Sequence, residues 1–152
     1  MKKRSKYRPR GVILDTMNWL KSGMMKFTDV RSEAMILRTK NHLALELLRK
    51  GEGSRTEIGD LMGAMNIAEA LSDLGFGPEF KQQFIDAQQA LKSLVIRSKE
   101  TKRFVLTARE LTALNLGMEI HDAQLDIATV KDIETALDIE RKNIRNRKVD
   151  VV

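Results

Sequence analysis

The chain has no cysteine. Disulfides, thiolate-built zinc sites, iron–sulfur clusters and a cysteine nucleophile are therefore excluded. Proline occurs only at Pro9 and Pro78, and aromatic residues make up 5%, with a single Trp and a single Tyr. Strand-rich chains draw on aromatic and β-branched side chains, so this scarcity, beside abundant Leu, Ile and Ala and eight Met, points to helices. No apolar run approaches the ~20 residues of a membrane span. No apolar stretch of signal-peptide length follows the basic N-terminus either. The expected setting is the cytoplasm, with no membrane partner.

Hydrophobic residues at 42% and charged residues at 32% of 152 suit one globular helical domain. The net charge of +6 is unevenly placed. Lys2, Lys3, Arg4, Lys6, Arg8 and Arg10 supply six cations without an acid, and the remaining 21 basic residues match the 21 acidic ones. Residues 1–11, ending Tyr7-Arg8-Pro9-Arg10-Gly11, read as an extended basic arm. A single helical domain is expected over 12–148, and a short tail over 149–152.

Along the domain, Asp15 can cap a short helix over about 16–25 that presents Trp19 to the core. A second helix is expected over about 30–50, closed by Gly51-Glu52-Gly53. Ser54-Arg55-Thr56-Glu57 has the capping-box pattern, in which hydroxyl and carboxylate each satisfy an orphan amide. It opens an amphipathic helix to about Leu74, on which Gly59, Gly63 and Ala64 leave room for a close neighbour. Gly75-Phe76-Gly77-Pro78 is a turn, and a fourth helix follows over about 78–100. Phe104-Val105-Leu106 is an apolar connector that plugs the core. Thr107 and Glu110 form a second capping box and start a last helix expected to run to Arg147. At roughly 60 Å, that helix exceeds a compact domain. Either it bends or breaks, or its far half, with the seam Ile133, Leu137 and Ile144, projects into a homo-oligomer interface, and projection is the expectation favoured. The fold class is all-α, a bundle of about five helices.

Between Glu119 and Glu140 lie seven carboxylates against Lys131 alone. Glu119, Asp122 and Asp126 share a face, but Glu119 and His121 diverge around the helix, unlike the Glu-x-x-His pairs of helical metal sites. No nucleophile–base pair is nominated. No metal, no cofactor and no enzymatic activity are expected. His121, Gln124, Ala128 and Asp132 line one helical ridge, and Asn41 and His42 can approach it. The acidic stretch can alternatively hold the basic arm.

At Lys6-Tyr7-Arg8-Pro9-Arg10, Lys40-Asn41-His42, Gly75-Phe76-Gly77, Arg103-Phe104-Val105-Leu106-Thr107 and Ile120-His121-Asp122-Ala123-Gln124-Leu125, the chain resembles a family. These are small uncharacterised accessory proteins encoded by tailed phages and prophages of Gram-negative bacteria. The resemblance spans nearly the whole chain and carries no catalytic residue. It implies a non-enzymatic accessory protein that binds and neutralises or redirects a host or defence factor, either a protein or a small anionic signal. The candidate binding residues are Lys6, Tyr7, Arg8, Arg10, Asn41, His42, His121, Asp122 and Gln124. The alternative is nucleic-acid binding through the arm. No helix-turn-helix supports it, since the helix after Gly53 begins with Glu57 and Asp60.

Overall fold

The computed structural model describes residues 23–29 and 31–146. Over them the chain forms an all-α bundle: α1 at Arg31–Lys50, α2 at Arg55–Asp73, α3 at Lys81–Thr101, α4 at Ala108–Ile127 and α5 at Val130–Arg145. Short 3-10 turns sit at Phe27–Asp29 and Pro78–Phe80. The basic arm, Trp19 and the start of the expected first helix lie outside the described residues. Among the described residues no helix is long and apolar enough to cross a membrane.

Hydroxyl–carboxylate pairs set three of the helix starts. Ser54 N–H donates to Glu57 Oε2 at 2.6 Å while the Ser54 hydroxyl oxygen accepts from backbone amides of the first turn. Thr107 and Glu110 repeat the exchange. Glu110 does more than cap, because Arg97 of α3 forks onto both its oxygens at 2.8 and 2.7 Å. That contact, with Thr107 N–H as a further donor, holds the Glu110 carboxyl below the usual carboxylate range although burial opposes it. Arg97 thus ties α3 to the start of α4.

The third pair corrects the expectation of one long helix. Ala128 is extended, with φ −69° and ψ 145°, and Thr129 caps a new helix. Asp132 N–H donates to Thr129 Oγ1 at 3.2 Å, and Thr129 N–H donates to the Asp132 carboxylate at 2.9 Å. A break inside an apolar bundle would strand backbone groups. Here Phe27 N–H donates to Ala128 O at 2.9 Å and Val130 N–H to Met25 O at 3.0 Å. The segment Met25–Phe27 therefore clasps the break as an isolated antiparallel bridge, Lys26 against Thr129. α5 then doubles back along α2, and the seam that was expected to project turns inward. Ile133 and Ala136 are buried against Ile67, Ala70, Leu71 and Leu125, with Leu137 packed beside them. Ile144 alone of that seam stays substantially exposed.

α2 is the central element and is covered on several sides. Ile58, Leu61 and Met65 meet α1, α3 and α4 in the larger core cluster; Ile67 and Leu71 meet α4 and α5 in the smaller one. Phe104 and Leu106 of the α3–α4 connector pack against the larger cluster, as expected. The close helix approach is not where the glycines of α2 suggested. A Cβ on Gly59 would meet nothing within 4 Å, and one on Gly63 only Glu140 at 3.8 Å. On Gly117 of α4 it would stand 2.8 Å from Met65 Sδ and 3.2 Å from Ala87 Cβ. Gly117→Ala is therefore expected to destabilise the fold by about 1–3 kcal/mol through overpacking. Gly63→Ala should be neutral or stabilising by up to about 1 kcal/mol, from helix propensity. Denaturant melts of the two variants check the contrast.

Candidate functional site

The nominated residues of α1 and α4 do come together, at the seam where these helices cross. His42 Nε2 lies 2.7 Å from Asp122 Oδ2. One turn earlier on α1, Arg38 donates to the Asp122 carbonyl at 2.9 Å and pairs with the Asp126 carboxylate. Asn41 sits between them on the same helix and is buried. Lys40 turns the other way, onto Asp60 of α2 at 2.7 Å. Two members of the acidic stretch, Asp122 and Asp126, are thus occupied by α1 side chains, and Asp132 by the α5 cap. Glu140 is half-buried; burial raises its carboxyl above the usual range against a hydrogen bond with Asn66. Among the described residues no three His, Asp or Glu side chains are placed to hold a metal ion.

The outward recognition ridge is corrected. His121, Gln124 and Ala128 form a row, but it faces the core: their exposures are 0%, 3% and 0%. The first part of α4 is apolar around much of its circumference, so periodicity alone could not say which side the other helices would cover. Gln124 serves as a buried cap for other elements. Its amide nitrogen donates to Ala68 O at 3.0 Å and Phe76 O at 2.8 Å, and approaches Ser72 Oγ at 3.3 Å. It thereby satisfies carbonyls of the last turns of α2 and of the Gly75–Gly77 turn.

With its nitrogen so engaged, Gln124 offers Oε1 to His121 Nδ1, 3.3 Å away. Nδ1 is then the protonated nitrogen of a neutral ring, and Nε2 carries the lone pair. Burial pushes the His121 pKa from 6.5 down to about 4, against the raising influence of Gln124 and Asp122. His121 Nε2, Asn41 Nδ2, Arg38 Nε and Asp122 Oδ1 are all buried without a hydrogen-bond partner in the protein. The seam is consequently a polar inclusion in the α1–α4 contact. Its surface edge is His42 and Asp122, and its floor is His121 and Asn41. Lys6, Tyr7, Arg8 and Arg10 lie outside the described residues.

Sequence reasoning missed the outer face of α1. Met35, Ile36 and Leu43 are 65%, 66% and 56% exposed, and Met24, Met25 and Ile127 stand exposed around the clasped helix break. The signal was present: these side chains fall off the stripe of Ala34, Asn41, Ala44, Leu45 and Leu48 that α1 buries. Two grooves also open on the bundle. One, of about 420 Å³ between α3 and the start of α4, places Arg109 beside Asp86 and Glu110. Another, of about 300 Å³, is walled by Phe80, Gln83, Leu116, Glu119, Ile120 and Ala123.

Comparison of the chain with protein-family models, with curated proteins and with solved structures finds no match. What is defined is an all-α bundle with a polar α1–α4 seam and an apolar outer face on α1.

The neutral buried His121 gives the fold a pH dependence of definite sign. Its folded pKa lies below its unfolded one, so between about 6.5 and 4 the unfolded chain binds the extra proton. This contribution is complete above pH 6.5 and is lost as pH falls toward 4, by on the order of 3 kcal/mol. His121→Gln should show a flatter fall of thermal stability from pH 7 to 4 than the parent. Parallel slopes would show that His121 does not carry it.

Proposed function

We propose that the chain is a non-enzymatic accessory protein of a phage or prophage, which works in the cytoplasm of its bacterial host by binding a host or defence protein. The observation that carries the reading is the exposed outer face of α1. Large apolar side chains grouped at a surface mark protein contacts more often than chance exposure. Three of the exposed residues, Met24, Met25 and Met35, are methionines, whose flexible thioethers adapt to a partner's shape. A small anionic signal is the weaker version of the same reading. It wants a closed pocket dominated by cations, whereas the groove holding Arg109 also carries two carboxylates. The nominated His42, with Arg38 one turn earlier, supports the face from beneath by anchoring α1 to Asp122 and Asp126 of α4.

The first ten residues, with six cations and no acid, favour nucleic acid as the second reading. The two are separated by affinity capture from phage-infected or prophage-bearing cells with the tagged full chain and with its Met35→Asp/Leu43→Asp variant. Expected is one host or defence protein, recovered with the parent and lost with the variant. The same proteins on both baits would remove the α1 face from the reading. Recovery of nucleic acid alone, released by moderate salt and by deletion of residues 1–10, would replace it with the second.

A further inference from the structure

We propose that the α1–α4 seam is an internal water site, in which one water molecule, or a hydrogen-bonded pair, bridges Arg38 and Asn41 of α1 to His121 and Asp122 of α4. The inference concerns how α1 is seated and stands apart from what its outer face binds. Among the described residues, five buried side-chain nitrogen and oxygen atoms have no hydrogen-bond partner in the protein. Four of them, Arg38 Nε, Asn41 Nδ2, His121 Nε2 and Asp122 Oδ1, fall in this one seam; the fifth, Gln83 Oε1, is on α3. A bare polar atom in a core is costly, and native cores satisfy nearly all of theirs through protein or ordered water. Four such atoms on facing turns of two helices call for one common partner.

The contacts around them fix where they lie. Arg38 Nη2 donates to the Asp122 carbonyl at 2.9 Å, which holds the whole guanidinium, Nε included, against α4. His42 Nε2 stands 2.7 Å from Asp122 Oδ2, so Oδ1 is the carboxylate oxygen left over. Asn41 stands between Arg38 and His42 along α1 and is 3% exposed, and His121 is wholly buried. His121 turns Nδ1 to Gln124 Oε1, which leaves Nε2, across the ring, for the seam.

Chemistry selects the occupant. Both α1 atoms are N–H donors, and both α4 atoms, the free nitrogen of a neutral imidazole and a carboxylate oxygen, are acceptors. Donors facing acceptors without bonding directly are the arrangement that a bridging water completes. A metal ion would suit the acceptors but meet two N–H groups, and among the described residues no three His, Asp or Glu side chains are placed to hold one. An anion would suit the donors but meet the Asp122 carboxylate. Two donors and two acceptors match a neutral molecule that accepts two hydrogen bonds and donates two, as buried water does. Water there accepts from α1 and donates to α4, and so joins the two helices between the His42–Asp122 edge and the core.

A high-resolution crystal structure of the full chain tests this without any substitution. Expected is solvent density about 3 Å from His121 Nε2 and from at least one of the two α1 donors. In solution, imidazole nitrogen spectra at neutral pH should show His121 protonated at Nδ1. Water-oxygen relaxation dispersion should count fewer long-lived waters in Asn41→Leu, which removes one donor and fills space with apolar atoms, than in the parent. A direct hydrogen bond from Arg38 Nε or Asn41 Nδ2 to His121 Nε2 or Asp122 Oδ1 would overturn the proposal. So would anomalous scattering from a metal ion in the seam, a His121 proton on Nε2, or an unchanged count of long-lived waters in folded Asn41→Leu. If Asn41→Leu does not fold, the parent crystal structure decides alone. Capture of a host protein reads the α1 face and not this seam, so either reading can fail without the other.

Discussion

The bundle closes because the chain can break its longest apolar stretch at Ala128 without leaving backbone groups bare. An α-helix ends with carbonyls and begins with amides that have no internal partner, and here both kinds meet at one buried alanine. Thr129 and Asp132 satisfy part of the new helix start. Met25 and Phe27 supply the rest, one accepting from Val130 and the other donating to Ala128. Without that clasp α5 would have no reason to reverse, and α2 would lose the Ile133 and Ala136 side chains that cover its Leu71 end.

Reversal of α5 also decides what α4 is for. With α2 and α3 packed against it and α5 folded back along α2, α4 turns His121 and Gln124 inward. There they do structural work that polar groups in a core must do if they are to be tolerated. Gln124 spends its amide on the Ala68 carbonyl of α2 and the Phe76 carbonyl of the turn that follows it, and His121 stays neutral beside it. Only Asp122 and Asp126, one and five positions further round, reach the rim, and both meet side chains of α1. A row that looked like a recognition ridge is an internal brace, and the exposed apolar side chains lie elsewhere, on the outer side of α1.

That surface has a physical logic of its own. α1 buries a narrow stripe, Ala34, Asn41, Ala44, Leu45 and Leu48, and leaves Met35, Ile36 and Leu43 on the other side. The cations along α1 are already paired, Arg38 with Asp126, Lys40 with Asp60 and Arg49 with Glu46, so the apolar side chains are what stands out on this side.

Local chemistry was legible in advance. The residues around Ser54/Glu57 and Thr107/Glu110 carry their helix starts in their own side chains, and Gly75–Pro78 carries its turn, because capping and positive φ (101° at Gly75 and 67° at Gly77) are short-range matters. The all-α class followed from composition and periodicity for the same reason. Thr129-Val130-Lys131-Asp132 carries the capping pattern as plainly, but it lies inside a stretch that reads as one helix from Thr107 to Arg147. A cap inside an apolar run is realised only if some distant segment takes up the freed backbone groups, and nothing near Thr129 says that Met25–Phe27 will do so. The sequence by itself determined which residues could start, stop and line helices. The tertiary structure alone decided which side of α4 faces inward, where α5 goes, and that the exposed face belongs to α1, because those outcomes rest on contacts between segments about fifty to a hundred residues apart.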